Sequence, residues 1–441
     1  MLLSNRRIEP TLALLLLLTV SLLATPARLR AADGGFEFYY QAIQEVNEEK
    51  PSEGGSWWDK TKNFGKQILN YAQMAWSQAE MRFFPGTGTK WVRSVQNPRI
   101  AYKVKRVKVT TEAELLAAMG VKSEAELTDG QRGLLAAFRA ASSPAIKERQ
   151  PYAYRKDAVR VLLTDTTGFD NVPTVEKDFW PMSYGSIQMS SLQYNYKGSE
   201  AHARSTFLHE YCHTLDRANP LGITWEAIRT TIKDGAPLYG KDNMHHTNEK
   251  TYPRVAYLEG WAIFNEMLES KDEADAVFRS IATIDFEKQG GYNGISATDP
   301  KVTGQDLLSV EGVVAAIMFR IAQEGKGGRQ AVFEAFVGSN KALHELKDFL
   351  REYVKRNPGE TALVMRILNE QTHGKLSDAE LLDLLGDTAE ARNALADRGT
   401  STLPATEEAP AAPTEDAGQP QVEPTKVTVG EGAATNPFED R

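Results

Sequence analysis

The sequence predicts an α+β fold that is mostly helical and contains one small mixed sheet. Three segments carry strand patterns: residues 100–110, residues 158–164, which form an apolar run, and residues 186–193, which alternate apolar and polar side chains like a strand with one solvated face. Beyond residue 300, apolar residues recur at three- and four-residue steps. This spacing predicts a helical C-terminal part with helices at 307–323, 331–337, 342–354, 361–371 and 377–385.

The N-terminal part of the body is also predicted to be helical. Apolar spacing indicates helices at 36–48, 57–84, 111–119 and 130–141, so we expect residues 33–98 to form a helical N-terminal extension and residues 99–398 to form one mixed domain. The 57–84 segment combines tryptophans with lysines. It is expected to pack on the body, and the alternative is an aromatic helix lying on a membrane surface.

Both ends of the chain differ from the body in composition. Arg6 and Arg7 precede an apolar run from Leu12 to Ala24, followed by small residues, which predicts a signal peptide over residues 1–32. An uncleaved membrane segment remains the alternative. Residues 399–441 are rich in Pro, Ala and Glu and are predicted to be disordered. The protein is therefore expected to be exported, periplasmic or secreted, and of bacterial origin.

Charge and cysteine content narrow the classes of partner. The chain of 441 residues has a formal net charge of −8, which argues against a protein that binds nucleic acid through the phosphate backbone. Its 41% hydrophobic and 25% charged residues are ordinary for a globular protein with a sizeable core. Cys212 is the sole cysteine, so the chain forms no internal disulfide.

The segment Phe207-Leu208-His209-Glu210-Tyr211-Cys212-His213 predicts a metal site. On a helix, His209 and His213 lie four residues apart on one face, where two imidazoles reach one ion. Glu210 projects beside them as a carboxylate that takes a proton from a metal-activated water. The apolar neighbours of this helix argue against a solvated surface element.

A third protein ligand is expected from a second helix. Residues 257–266 contain two glutamates, Glu259 and Glu266, seven residues apart and therefore on one helical face. Glu259 is preferred because Gly260 next to it permits close approach of two backbones. Glu266 remains the alternative ligand.

This arrangement resembles the gluzincin zinc metallopeptidases, in which His-Glu-x-x-His on one helix is followed by Glu-Gly-aromatic-Ala on a later one. The resemblance implies a zincin-like catalytic domain, zinc held by His209, His213 and Glu259, and Glu210 as general base. It also implies a peptide or protein substrate, hydrolysed through a zinc-activated water, and an edge strand at 186–193 along which an extended peptide pairs. The spacer between His213 and Glu259 is longer than in the thermolysin-like and aminopeptidase families.

Several roles stay open at this point. Tyr252, Tyr257, Tyr292, His245 and His246 are candidates for the donor that stabilises the oxyanion, and the sequence does not choose among them. Asp216 is either a group that orients an imidazole or an acid at the end of the helix. Cys212 is expected to be a small buried residue and not a nucleophile. The alternative function is an inactive zincin-fold binding or scaffold protein of the cell envelope.

Overall fold

The computed structural model describes residues 35–48, 86–94, 97, 99–153, 158–169, 171–172, 186–215, 246–284, 297–338 and 343–400. These residues form an α+β structure in which helices pack against one small sheet, as the sequence predicts. None of the helices in these ranges has the length and apolar character needed to cross a bilayer. The predicted signal peptide, the 57–84 helix and the tail beyond residue 400 lie outside the described residues.

Within the described residues the sheet has five strands in the order β2-β3-β1-β4-β5. β1 pairs antiparallel with β3 and parallel with β4, while β4 pairs parallel with β5 and β2 pairs antiparallel with β3. The mixed character that the sequence predicts is therefore confirmed. The strands are β1 Phe36–Glu48, β2 Gly88–Arg93, β3 Ile100–Val109, β4 Val159–Asp165 and β5 Ser186–Ser190.

The helix predicted at 36–48 is wrong, because this segment is the central strand β1. Phe36, Phe38 and Tyr40 alternate toward the helices, and Phe38 and Phe36 contact the Phe207 ring at centroid distances of 6.4 and 5.5 Å. The apolar residues of this segment fit both helical and strand spacing. The segment is a strand because it pairs with β3 on one side and with β4 on the other. The described part of the predicted helical N-terminal extension, β1 and β2, therefore belongs to the same sheet as the strands of the 99–398 body.

β5 lies at one edge of the sheet, but it has no solvated face. All five residues are buried, the polar Ser186, Gln188 and Ser190 included, and the strand ends at residue 190 in a short 3-10 turn. Apolar and polar residues do alternate along this strand, but both of its faces are buried. The prediction of one wet face is therefore wrong.

The helices begin and end close to their sequence signals. Capping boxes at Thr111 and Thr128 start α1 and α2, and the box predicted at Ser377 with Glu380 starts α12. The helices are α1 Glu112–Met119, α2 Asp129–Ala140, α3 Pro144–Arg149, α4 Glu200–Thr214, α5 Pro253–Glu269, α6 Lys271–Ile281, α7 Gly304–Leu307, α8 Glu311–Glu324, α9 Gly328–Gly338, α10 Leu346–Arg356, α11 Thr361–Gln371, α12 Asp378–Leu385 and α13 Ala389–Thr400.

One large core joins the sheet to the helices. α4 packs on α2, α5 and β5, and α5 packs in turn on α8. The core-facing residues of β4 and β5, Val161, Leu163, Ile187 and Met189, are fully buried in it. α4 and α5 therefore meet inside the molecule, beside the β5 edge, and each presents a face to the other.

Candidate metal centre

α4 carries the predicted histidine pair inside the core. Phe207 and Cys212 are fully buried, whereas the His209 side chain retains 18% of its exposure and the His213 side chain 6%. The helix is therefore anchored by its apolar side chains, and the two imidazoles lie at its partly accessible face. This matches the expectation that an apolar helix holds its polar residues in a special environment.

α5 supplies the two glutamates from the opposite side. Pro253 stands in its first turn, and Glu259 and Glu266 retain only 3% and 7% of their exposure. A Cβ built on Gly260 would lie 2.8 Å from the Val314 Cβ and 2.9 Å from the Glu311 carbonyl oxygen. Gly260 thus permits the close approach of two backbones that the sequence predicts, and the neighbouring helix is α8.

Three side-chain atoms from these helices converge. His209 Nε2 and His213 Nε2 are 3.2 Å apart, and Glu259 Oε2 lies 3.2 Å from the first and 3.1 Å from the second. His209, His213 and Glu259 form the one group of at least three metal-binding side chains found within the described ranges. The structure therefore brings together the three residues that the sequence analysis named as ligands.

Glu266, the alternative ligand, lies on the other side of His209. Its Oε1 is 2.5 Å from His209 Nδ1, and its Oε2 accepts a hydrogen bond of 3.0 Å from Ser205 Oγ, one turn earlier on α4. In the neutral imidazole, a carboxylate in this position favours the tautomer with the proton on Nδ1, which leaves Nε2 able to bind a metal. Glu266 thus orients the imidazole of His209, while Glu259 faces its other nitrogen.

The electrostatics of the cluster follow from this double contact. Burial lowers the pKa of His209, but the carboxylates of Glu266 and Glu259 outweigh it and hold that pKa well above the ordinary value. Two buried carboxylates around one imidazole thus create a strong local preference for positive charge. The preference is met by a proton or by a cation.

The donor set suits a zinc ion. Ligands held 2.0–2.1 Å from a tetrahedral zinc ion lie roughly 3.3 Å from one another, close to the 3.1 to 3.2 Å seen here. Two imidazole nitrogens and one carboxylate oxygen are the ligand types of catalytic zinc sites, which keep a fourth position open. The residues present therefore fit the metal that the sequence motif implies.

Arg149 joins the helices behind the cluster. Its fully buried guanidinium donates from Nε to the Asn265 side-chain oxygen at 2.6 Å and from Nη2 to the Asn265 carbonyl at 3.3 Å. It also pairs with Glu269 at 2.9 Å and lies over the Phe333 ring. Asn265 directly precedes Glu266, so Arg149 fixes the part of α5 that orients His209.

Trp261 supplies a second link between the site helices. Its Nε1 donates to the Cys212 carbonyl at 3.2 Å, and its ring stacks on Phe336 at 3.7 Å. Arg149 and Trp261 were missed by the sequence analysis. Trp261 stands two residues after Glu259, which offers a weak signal, whereas nothing in the sequence connects Arg149 with residues more than a hundred positions away.

Glu210 and Cys212 occupy buried positions on α4. Glu210 retains 8% of its exposure and lies about 100° around the helix axis from His209, on the side of His213. Burial raises the pKa of the Cys212 thiol to about 12, which leaves the thiol protonated at neutral pH. The expectation that Cys212 is a buried apolar residue agrees with this environment.

The remaining candidates are buried, half-buried or outside the described ranges. Tyr257 is fully buried, and its ring packs near Phe336. Tyr252 is half-buried at the start of α5, and His246 is half-buried at the start of the described stretch before it. Asp216, His245 and Tyr292 lie outside the described residues.

The chain was compared with profiles of known protein families, with curated proteins and with solved structures, and none of the three comparisons gave a significant match.

Proposed function

We propose that this protein is an exported, zinc-dependent peptidase that hydrolyses peptide bonds, with His209, His213 and Glu259 as the metal ligands. The observation that carries the proposal is the convergence of three possible ligand atoms, His209 Nε2, His213 Nε2 and Glu259 Oε2, which lie 3.1 to 3.2 Å from one another. The Glu266 carboxylate beside His209 Nδ1 favours the tautomer in which Nε2 is able to bind a metal.

The donor set supports zinc over the harder cations. Calcium and magnesium take oxygen ligands, six or more for calcium, whereas this cluster offers two nitrogens and one oxygen. A zinc ion held there would supply Lewis-acid polarisation of a carbonyl and would activate a water as a nucleophile at neutral pH.

Glu210 is proposed as the general base. Its carboxylate takes a proton from the attacking water and passes it to the nitrogen of the leaving amine, which is a role for a carboxylate held beside the ligands but outside their set.

The zincin-like fold is part of the same proposal. Two features support it: the edge strand β5 precedes the site helix α4 in the chain, and α4 packs beside that strand. The substrate is proposed to be a peptide or protein. Glu266 is proposed to hold the His209 tautomer instead of binding the metal.

Glu210→Gln tests the mechanism. The variant is expected to bind zinc like the parent and to lose hydrolysis of a diverse peptide library, measured by mass spectrometry of the products. Glu334→Gln, a change at an exposed helix position, serves as the matched control and is expected to keep both properties. Turnover retained in Glu210→Gln contradicts the assigned base.

The alternative, an inactive zincin-fold binding or scaffold protein, is decided by the same assay. Stoichiometric zinc in the parent without cleavage of any peptide would favour it. Selective cleavage of one peptide would exclude it. The buried Glu210 favours the peptidase, since a binding protein has no need of a base beside its metal.

A further inference from the structure

A serine on α4 contacts the glutamate that faces His209. Ser205 Oγ donates a hydrogen bond of 3.0 Å to Glu266 Oε2, and Glu266 Oε1 lies 2.5 Å from His209 Nδ1. Ser205 and His209 are four residues apart on α4, so their side chains are neighbours on one face of that helix. The Glu266 carboxylate therefore spans one turn of α4, with one oxygen at each of the two side chains.

The contact with Ser205 fixes the orientation of this carboxylate. The last torsion of a glutamate side chain is broad and roughly two-fold, so a contact at Oε1 alone leaves the carboxylate plane free to turn. A hydrogen bond to Oε2 from a residue one turn away removes that freedom. Glu266 is buried, and a buried carboxylate depends on donors from the protein. The orientation of Glu266 is therefore set in part by Ser205.

The needs of the helix itself do not explain a serine at this position. Within a helix, serine is less favourable than alanine, and its hydroxyl commonly points to solvent or bonds to the carbonyl one turn earlier. A hydroxyl has one proton to donate, and Ser205 donates it to a carboxylate of the facing helix α5. Ser205 is half-buried, on a helix that packs against α5. Its hydroxyl thus serves the contact with Glu266.

We infer that Ser205 is a positioning residue of the metal centre: it fixes the Glu266 carboxylate, which in turn orients the imidazole of His209. The inference rests on the proposed function, since it takes His209, His213 and Glu259 as the zinc ligands. A carboxylate held on the Nδ1 side of His209 is also kept away from Nε2, where Glu259 Oε2 lies at 3.2 Å. Ser205 thereby keeps the two glutamates of α5 in separate roles.

The zinc affinity of the full chain tests the inference, measured by competition with a chromophoric chelator at one pH. Ser205→Ala removes the hydroxyl and favours the helix, so the variant is expected to fold. Groups that hydrogen-bond a metal-ligating histidine contribute about 10–100-fold to metal affinity, and Ser205 acts one contact further away, so we expect a loss of about 3–10-fold. Ser205→Thr keeps the hydroxyl and is expected to stay within about twofold of the parent.

A double-mutant cycle separates positioning from simple packing of two helices. With Glu266→Ala already present, Ser205→Ala is expected to change zinc affinity by less than about twofold, because the group through which it acts is gone. The cobalt-loaded protein gives a second readout: its ligand-field absorption is expected to shift in Ser205→Ala and to match the parent in Ser205→Thr. The matched control is Ser280→Ala, at a half-buried serine of α6, which is expected to leave zinc affinity within about twofold.

The outcomes separate this inference from the proposed function. A parent chain that binds no zinc would overturn both. One zinc per chain in the parent, with unchanged affinity in Ser205→Ala, would overturn the positioning role alone. An equal loss from Ser205→Ala with and without Glu266 would also overturn it, as would a lower free energy of unfolding of the metal-free protein without any loss of zinc affinity.

Discussion

The Glu266→Ala variant tests whether Glu266 orients the ligand His209 or binds the metal itself. The structure places its carboxylate 2.5 Å from His209 Nδ1 and places the Glu259 carboxylate at the other nitrogen. Glu266→Ala leaves all three proposed ligands in the chain. We therefore expect the variant to bind zinc at one ion per chain, but more weakly than the parent.

The magnitude follows from the kind of contact that is lost. Groups that hydrogen-bond a metal-ligating histidine contribute about 10–100-fold to metal affinity, or roughly 1.4–2.7 kcal/mol. Glu266→Gln keeps an oxygen acceptor and loses the charge, so a loss near tenfold is expected; Glu266→Ala loses both and is expected near a hundredfold. Glu259→Ala removes a ligand and is expected to exceed both.

The assay is competition for zinc with a chromophoric chelator at one pH, supported by metal analysis after dialysis. Glu360→Gln is the matched control, since Glu360 is also a buried glutamate and accepts hydrogen bonds from Tyr353 and from the Lys326 amide in the C-terminal helices. It is expected to lower stability and to leave zinc affinity within about twofold. Unchanged affinity in Glu266→Ala, or a larger loss there than in Glu259→Ala, would refute the assignment of the two glutamates.

Three further predictions concern the surroundings of the site. Arg149→Met leaves the Asn265 oxygens without their donor and is expected to lower the free energy of unfolding by about 3 kcal/mol in urea titration, with a parallel loss of zinc affinity; a fall in stability with unchanged affinity would contradict its role in positioning α5. Gly260→Ala drives a methyl group against Val314 and is expected to cost about 1–3 kcal/mol by the same titration; an unchanged unfolding midpoint would show that α8 shifts freely. Cys212 is expected to resist a thiol reagent in the folded protein and to react at once in guanidinium, since its pKa is raised to about 12 by burial; rapid labelling of the folded chain would contradict the packing of α4.

Much of the fold could be predicted because local signals agree with the tertiary outcome. The helix at 361–371 begins and ends at the predicted residues, and Ser377 with Glu380 starts α12 as the capping pattern indicates. β1 could not be predicted, because Phe36, Tyr40 and Ile43 recur at helical spacing while the alternate residues from 36 to 40 also follow strand spacing, and pairing with β3 and β4 decides between them. Single-sequence periodicity contains no information about such partners.

The sequence by itself determined the histidine pair, since a four-residue spacing on any helix places His209 and His213 on one face. It also determined that Glu259 and Glu266 share a face, because seven residues are two helical turns. Which glutamate meets which imidazole nitrogen was decided by the antiparallel packing of α5 on α4, and the same packing recruited Arg149 and Trp261. Contacts between distant segments depend on how two helix faces pack together. The sequence of one segment does not specify how deeply or at what rotation that face packs against its partner.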